Sequence, residues 1–238
     1  MPTTLNLGSI TIDVVKKDIK NVHLSVYPPV GKVRISAPLR MKLETIRVFA
    51  ISKLGWIKEQ QKKINAQERE TPRSYGERES HYVWGRRYLL KVVERDLTSE
   101  VELRHNKIVL QVRPAWSTER KQDFLDAWYR AQLKASLPQL ITRWEPVIGV
   151  KVERVFVQRM RTKWGSCSRT SASIRLNTDL AKKPPECLEY IVVHEMAHLI
   201  EPTHNSRFIG LMDRLMPNWR FYRELLNRLP VRHENWGY

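Results

Sequence analysis

Two histidines four residues apart, His194 and His198, bracket the run His194-Glu195-Met196-Ala197-His198, and a third, His204, follows shortly after. On an α-helix, positions i and i+4 share a face with Cβ atoms roughly 5 to 6 Å apart. Both rings can therefore reach one metal ion at about 2.0 to 2.1 Å, the usual zinc–imidazole distance. Glu195, beside the first ring, can then reach a water on that metal and act as general base. A third ligand from outside the helical turn leaves the fourth tetrahedral position open for water, as catalytic zinc requires. His204 can supply it, because Pro202 disfavours helical geometry at Glu201 and lets the chain turn back. The expectation is one Zn²⁺ per chain, held by His194, His198 and His204. Glu201 lies on nearly the same helical face as His194 and is the alternative third ligand. A Cys167 thiolate is a further candidate, one that a three-histidine set makes unnecessary.

These side chains need a helix beneath them. Pro184-Pro185-Glu186 reads as a helix start, and Leu188, Ile191, Val192, Ala197, Leu199 and Ile200 make the segment strongly apolar. Histidines and a glutamate buried in such a segment are costly unless something satisfies them, and a metal would. Upstream, β-branched and aromatic residues predict strands over 10–15, 23–27 and 33–37, then an amphipathic helix over 43–64. Further antiparallel strands are expected at 82–84, 88–93, 101–103 and 108–112. Ser117-Thr118-Glu119 opens a second helical region that Pro138 should end or kink. Strands are again expected within 150–157 and 172–176. Asn205 can cap a helix that Pro217 closes, with Met212 and Met216 among its core positions or beneath the metal, and a last helix covers 219–229. No internal repeat is evident. The expected fold is α+β: a β-rich portion over 1–115 with one long helix, then a helical, metal-bearing portion over 116–238.

With 42% hydrophobic and 28% charged residues, the chain is globular in composition rather than disordered. No apolar run approaches the 18 or so residues of a membrane helix, and the first residues lack a signal-peptide pattern, so a cytoplasmic protein without a membrane partner is expected. The two cysteines, Cys167 and Cys187, lack metal or redox spacing and are read as reduced thiols. The formal charge of +17 exceeds what solubility requires. Both halves are basic, so non-specific nucleic acid is an expected partner beside a protein or peptide substrate.

Arg161-Thr162-Lys163-Trp164-Gly165-Ser166-Cys167, then Ile174-Arg175-Leu176-Asn177, Pro185, Tyr190-Ile191-Val192-Val193-His194-Glu195, His198, His204 and Phe208 together resemble the YgjP-like metallopeptidase family. That family belongs to the zincins and is related to the WLM and SprT groups, some of which act on DNA-associated proteins. The resemblance implies a compact metallopeptidase core with an active-site helix bearing two histidines, a third ligand on the next segment, and an edge strand that binds substrate. It also favours His204 over Glu201. Two positions depart from the pattern, with Asn205 where Ser is expected and Ile209 where Trp is expected. Glu201 stands where metzincins carry glycine, so that clan is not assigned.

The resulting expectation is a zinc-dependent peptidase whose strand at 172–177, if it edges the cleft, pairs with an extended peptide. Its rival is a nucleic-acid-binding protein whose zinc site is structural or inactive. The charge favours the rival and Glu195 opposes it, because a structural zinc site fills all four positions with protein ligands.

Overall fold

Alternation of apolar and polar residues builds the first sheet. The computed structural model describes residues 3–28, 30–66, 69–160 and 162–232, which fall into two compact units, Met1–Glu70 with Pro230–Tyr238, and Thr71–Leu229. In the first unit, β1 (Thr3–Leu7), β2 (Ile10–Lys17), β3 (His23–Tyr27) and β4 (Lys32–Pro38) form a sheet ordered β1-β2-β4-β3. One face buries Ile10, Ile12, Val14, Val33, Ile35 and Ala37 with Ile46, Ala50 and Ile57 of the helices that follow. Those helices are α1 (Leu43–Ser52) and α2 (Leu54–Ala66). The single helix expected over 43–64 is thus broken at Lys53, whose φ of −108° and ψ of 5° are not helical. The break lies two residues before Gly55, the poorest helix former of the stretch.

The second unit begins with the same strand plan. β5 (Ser80–Val83), β6 (Arg86–Glu94), β7 (Glu100–Arg104) and β8 (Lys107–Val112) form a sheet ordered β5-β6-β8-β7. In both sheets the first two strands make a hairpin, the second and fourth run parallel, and the third returns antiparallel on the fourth. The expectation of antiparallel strands over 82–112 is corrected by the parallel pairing of β6 with β8, and the strand plan recurs without an evident repeat in sequence. Parallel pairing of β6 with β8 skips a strand in sequence, which periodicity along the chain cannot reveal.

Helix α3 (Thr118–Ile148) starts at Ser117, whose hydroxyl accepts from the Arg120 N–H, and ends at Gly149 in left-handed geometry, φ 78°. It does not end at Pro138. Leu133, Leu137 and Ile141 on either side are buried in the core, so tertiary packing offsets the hydrogen bond that proline removes. Next come β9 (Arg154–Gln158), β10 (Gly165–Ser168) and β11 (Ser173–Asn177) in the order β10-β11-β9. A 3-10 helix (Thr178–Lys182) leads to α4 (Pro185–Ala197), α5 (Ser206–Leu215) and α6 (Trp219–Arg228). One core joins β6, β8, α3, β11 and α4. The division anticipated near 115 falls between β8 and α3, inside this unit, because Val112 and Leu125 share that core. The whole is an α+β fold, β-rich first and helical later, and no helix among the described residues is long and apolar enough to cross a membrane.

The β5–β6 turn braces the start of α4. Trp84 N–H donates to the Ala181 carbonyl at 2.9 Å and Gly85 N–H to that of Lys182 at 3.3 Å. Gly85 sits at φ 77°, and a Cβ there would lie 2.9 Å from Cγ of Pro184, so the turn needs glycine for both backbone and space. Just before β5, Glu79 closes the loop that begins the unit. It accepts from Ser74 N–H at 2.8 Å and Tyr75 N–H at 2.9 Å and lies 2.8 Å from His81 Nε2. Burial pushes its pKa up, but hydrogen bonds from His81 and Ser74 outweigh burial and hold it at about 2.

A carboxylate held below its unfolded value stabilises the fold above that value and loses this contribution as pH falls through the folded pKa. Glu79→Gln should therefore cost about 1 to 3 kcal/mol at neutral pH. In urea unfolding over a pH series, the difference from wild type should shrink from pH about 4.5 down to about 2.

Candidate metal centre

Helix α4 carries His194 on its last turn and is capped at its C-terminus by His198. Pro185 opens it, and Leu188, Ile191, Val192, Val193, Met196 and Ala197 anchor it in the core. After His198 the backbone tightens, with Leu199 N–H bonded to the Met196 carbonyl and Ile200 N–H to that of Ala197, each at 3.0 Å. Pro202 follows, and the chain reverses into α5. Asn205 caps that helix, its Oδ1 accepting from Arg207 N–H at 2.9 Å and Phe208 N–H at 3.0 Å, which sets His204 immediately before the cap.

The reversal brings three rings together. Nε2 of His204 lies 3.0 Å from Nε2 of His194 and 3.1 Å from Nε2 of His198. Among the described residues, these three histidines make the one group of His, Cys, Asp or Glu able to share an ion. His198 Nδ1 lies 2.9 Å from the Glu201 carbonyl oxygen. Since a carbonyl only accepts, Nδ1 carries the proton and Nε2 presents its lone pair to the cluster, so this hydrogen bond fixes the ring's tautomer. Nδ1 of His194 is buried without a hydrogen-bond partner, so that ring's only polar engagement is through Nε2. Burial, reinforced by His198, His204 and Arg223, lowers the His194 pKa to about 3, and burial followed by His198 lowers that of His204. A positive charge on His194 or His204 is thus disfavoured where the three rings converge. The donor set fits a divalent transition-metal ion.

Glu201 contributes through its backbone. Its carboxylate accepts from Thr203 N–H and hydroxyl at 3.4 and 3.2 Å and is not in the histidine group. Neither is Cys167, whose thiol is pushed up to about 11 by burial, with Glu195 adding to the effect. Glu195 is itself 5% exposed. Burial raises its pKa to about 7, against a smaller opposing pull from Lys163. The structure thus gathers His194, His198 and His204, keeps Glu195 beside them in sequence and buried, and sets Glu201 and Cys167 outside the cluster.

The strand expected to edge the cleft does not. β11 (Ser173–Asn177) is central in its sheet, paired with β9 on one side and β10 on the other. The edges of this sheet are β9 and β10, and it is β10 that packs against α4. Its short stretch of glycine, serines and cysteine lacks the β-branched signal that marks strands in a sequence. Asn177 ties the approach to β10 in place, donating to the carbonyls of Met160 at 2.7 Å and Lys163 at 2.9 Å.

A model of the YgjP-like metallopeptidase domain matches residues 20–229, most of the chain. The chain belongs to the YgjP-like metallopeptidase family. Membership implies a metal ion and peptidase chemistry at the class level, in keeping with the resemblance carried by residues 161–208. Among solved structures, the metallopeptidase zymogen of Pyrococcus abyssi abylysin is similar at 20% identity, covering 40% of this chain and 97% of its own, with a TM-score of 0.35. Curated proteins give no match.

Phe208 is the site residue whose role spacing alone did not expose. Its ring centroid lies 5.0, 4.5 and 4.9 Å from those of His194, His198 and His204, making one apolar platform beneath all three. Its position four residues after His204, on the first turn of α5, is the signal that could have found it. The methionines are buried core residues, Met212 fully and Met216 nearly so. Phe208→Ala should weaken metal binding about 10- to 100-fold and lower stability by about 3 to 5 kcal/mol. Competition with a chromogenic chelator and chemical unfolding would measure the two effects, and unchanged affinity would remove the platform role.

Proposed function

We propose that this YgjP-like metallopeptidase hydrolyses peptide bonds at a Zn²⁺ ion held by His194, His198 and His204, one per chain, with Glu195 as general base. The observation that carries the reading is the convergence of three imidazole nitrogens, with a buried glutamate next to the first in sequence. When bound, zinc would supply Lewis-acid polarisation of the scissile carbonyl and a lowered pKa for the attacking water. Glu195 takes a proton from that water and returns it to the leaving amine, a task suited to a carboxyl raised to about 7. The edge strand β10 offers unpaired backbone groups to an extended peptide, which orients the scissile bond along the cleft. His198, held through Nδ1 by the Glu201 carbonyl, keeps its ring fixed during turnover.

The test pairs metal content with cleavage of a quenched-fluorescent peptide library. Wild type should hold one zinc, His204→Ala less, and Glu201→Ala as much as wild type. Glu195→Gln should retain zinc and fold while losing about 100-fold or more in turnover. Equal cleavage by wild type and Glu195→Gln would sink the mechanism.

We also propose a non-specific nucleic-acid partner. The supporting observation, beside the charge of +17, is a concavity of about 650 Å³ on the open face of the β5–β8 sheet, where Lys91, Arg95, Arg104 and Lys107 outnumber Glu100 and Glu102. The inactive or structural zinc reading has less support, since three protein ligands leave a position open and Glu195 sits beside the first. In fluorescence anisotropy with labelled DNA, log affinity should fall linearly with log salt. Reversing Lys91 and Arg95 to Glu should flatten that slope, and absence of binding at low salt would eliminate the partner.

A further inference from the structure

Gly165, on the edge strand β10, touches the group that the peptidase reading makes the base. A Cβ built on it would stand 2.5 Å from Oε1, 2.7 Å from Cγ and 2.9 Å from Cδ of Glu195. Real Cβ atoms do not approach other heavy atoms so closely, so a side chain at 165 and Glu195 as placed exclude each other. Backbone conformation gives no reason for the glycine, because Gly165 is not among the residues at positive φ. Space is the reason.

Neither partner can easily withdraw. Gly165 is paired opposite Leu176, and the residue before it is tied down by the Asn177 N–H donating to the Trp164 carbonyl at 2.9 Å. On the other side, Glu195 is 5% exposed on a helix whose neighbours Val193 and Met196 are fully buried. Its carboxylate has this backbone as a wall.

Resting on the proposed peptidase mechanism, we infer that Gly165 is a positioning residue for Glu195: the bare Cα of the edge strand sets where the carboxylate stands, so that one strand both offers its edge to the peptide and aligns the base. A methyl group at 165 meets Glu195 first, its three nearest heavy atoms all lying in that side chain, and pushes the carboxylate aside. Displacing a catalytic group by about 1 Å costs on the order of 100-fold in rate.

Two measurements test this. Gly165→Ala should keep its zinc, and on a quenched-fluorescent peptide cut by wild type its kcat should fall about 100-fold with KM within about threefold. A purely structural fault in the edge strand would instead raise KM, and wild-type turnover would overturn the inference. The second measurement needs no catalysis: a double-mutant cycle in thermal stability on the metal-free protein. Gly165→Ala should lower Tm by about 3 °C or more when Glu195 is present, the cost of overpacking. In a Glu195→Ala background the same substitution should leave Tm unchanged or raise it, because the added methyl then fills vacated space. Equal shifts in both backgrounds would overturn the inference. Glu195→Gln that still cleaves would remove the mechanism but leave the cycle readable, so the two failures are distinct.

Discussion

Nε2 of His204 stands about 3 Å from Nε2 of both His194 and His198, and much of the second unit serves to hold the three rings there. His194 and His198 come from one rigid helix, but His204 arrives on a reversal. That reversal is secured by Pro202, the Glu201 carbonyl that receives His198, and the Asn205 cap. Each of these is a short-range device, so the ligand geometry is settled within a dozen residues. Phe208 then supplies an apolar floor that keeps water from solvating the rings from below.

The same burial acts oppositely on the two kinds of titratable group. It drives His194 down to about 3 and Glu195 up to about 7, because desolvation disfavours whichever form is charged. A histidine so placed offers its lone pair across the neutral range, and a glutamate so placed can both take and give a proton. One apolar surrounding thus acts on both side chains at once, and the helix that carries them needs no separate device for each.

What could be read from the sequence divides along the range of the interactions. The histidines, Glu195, the start of α4 at Pro185 and the cap at Asn205 were all legible, since each rests on neighbours in the chain. Most strands were too, through alternation such as Ile10, Ile12 and Val14. The errors concern partners distant in sequence. Nothing local says that β6 pairs with β8 in parallel, that β11 is central rather than an edge, or that α3 runs through Pro138 because Leu133 and Ile141 are buried. The strand β10 escaped notice because Gly165-Ser166-Cys167-Ser168 has no strand-forming residues, and the need for glycine there comes from a carboxylate thirty residues away.

The recurring strand plan allows its two hairpin turns, each of two residues, to be compared. At Gly8, in the first, an added Cβ would meet nothing within 4 Å, whereas at Gly85, in the second, it would strike Pro184. The glycines also hold different places, Gly8 first of its two loop residues and Gly85 second, after Trp84, which is itself at positive φ, so the strand plan recurs while the turn and its contact differ. One strand plan can thus carry different turns, here one that serves as an abutment for the helix that bears the histidines. The first turn keeps the freedom that the second has given up: its loop is open to lengthening or exchange, while the length of the other is tied to the placement of α4.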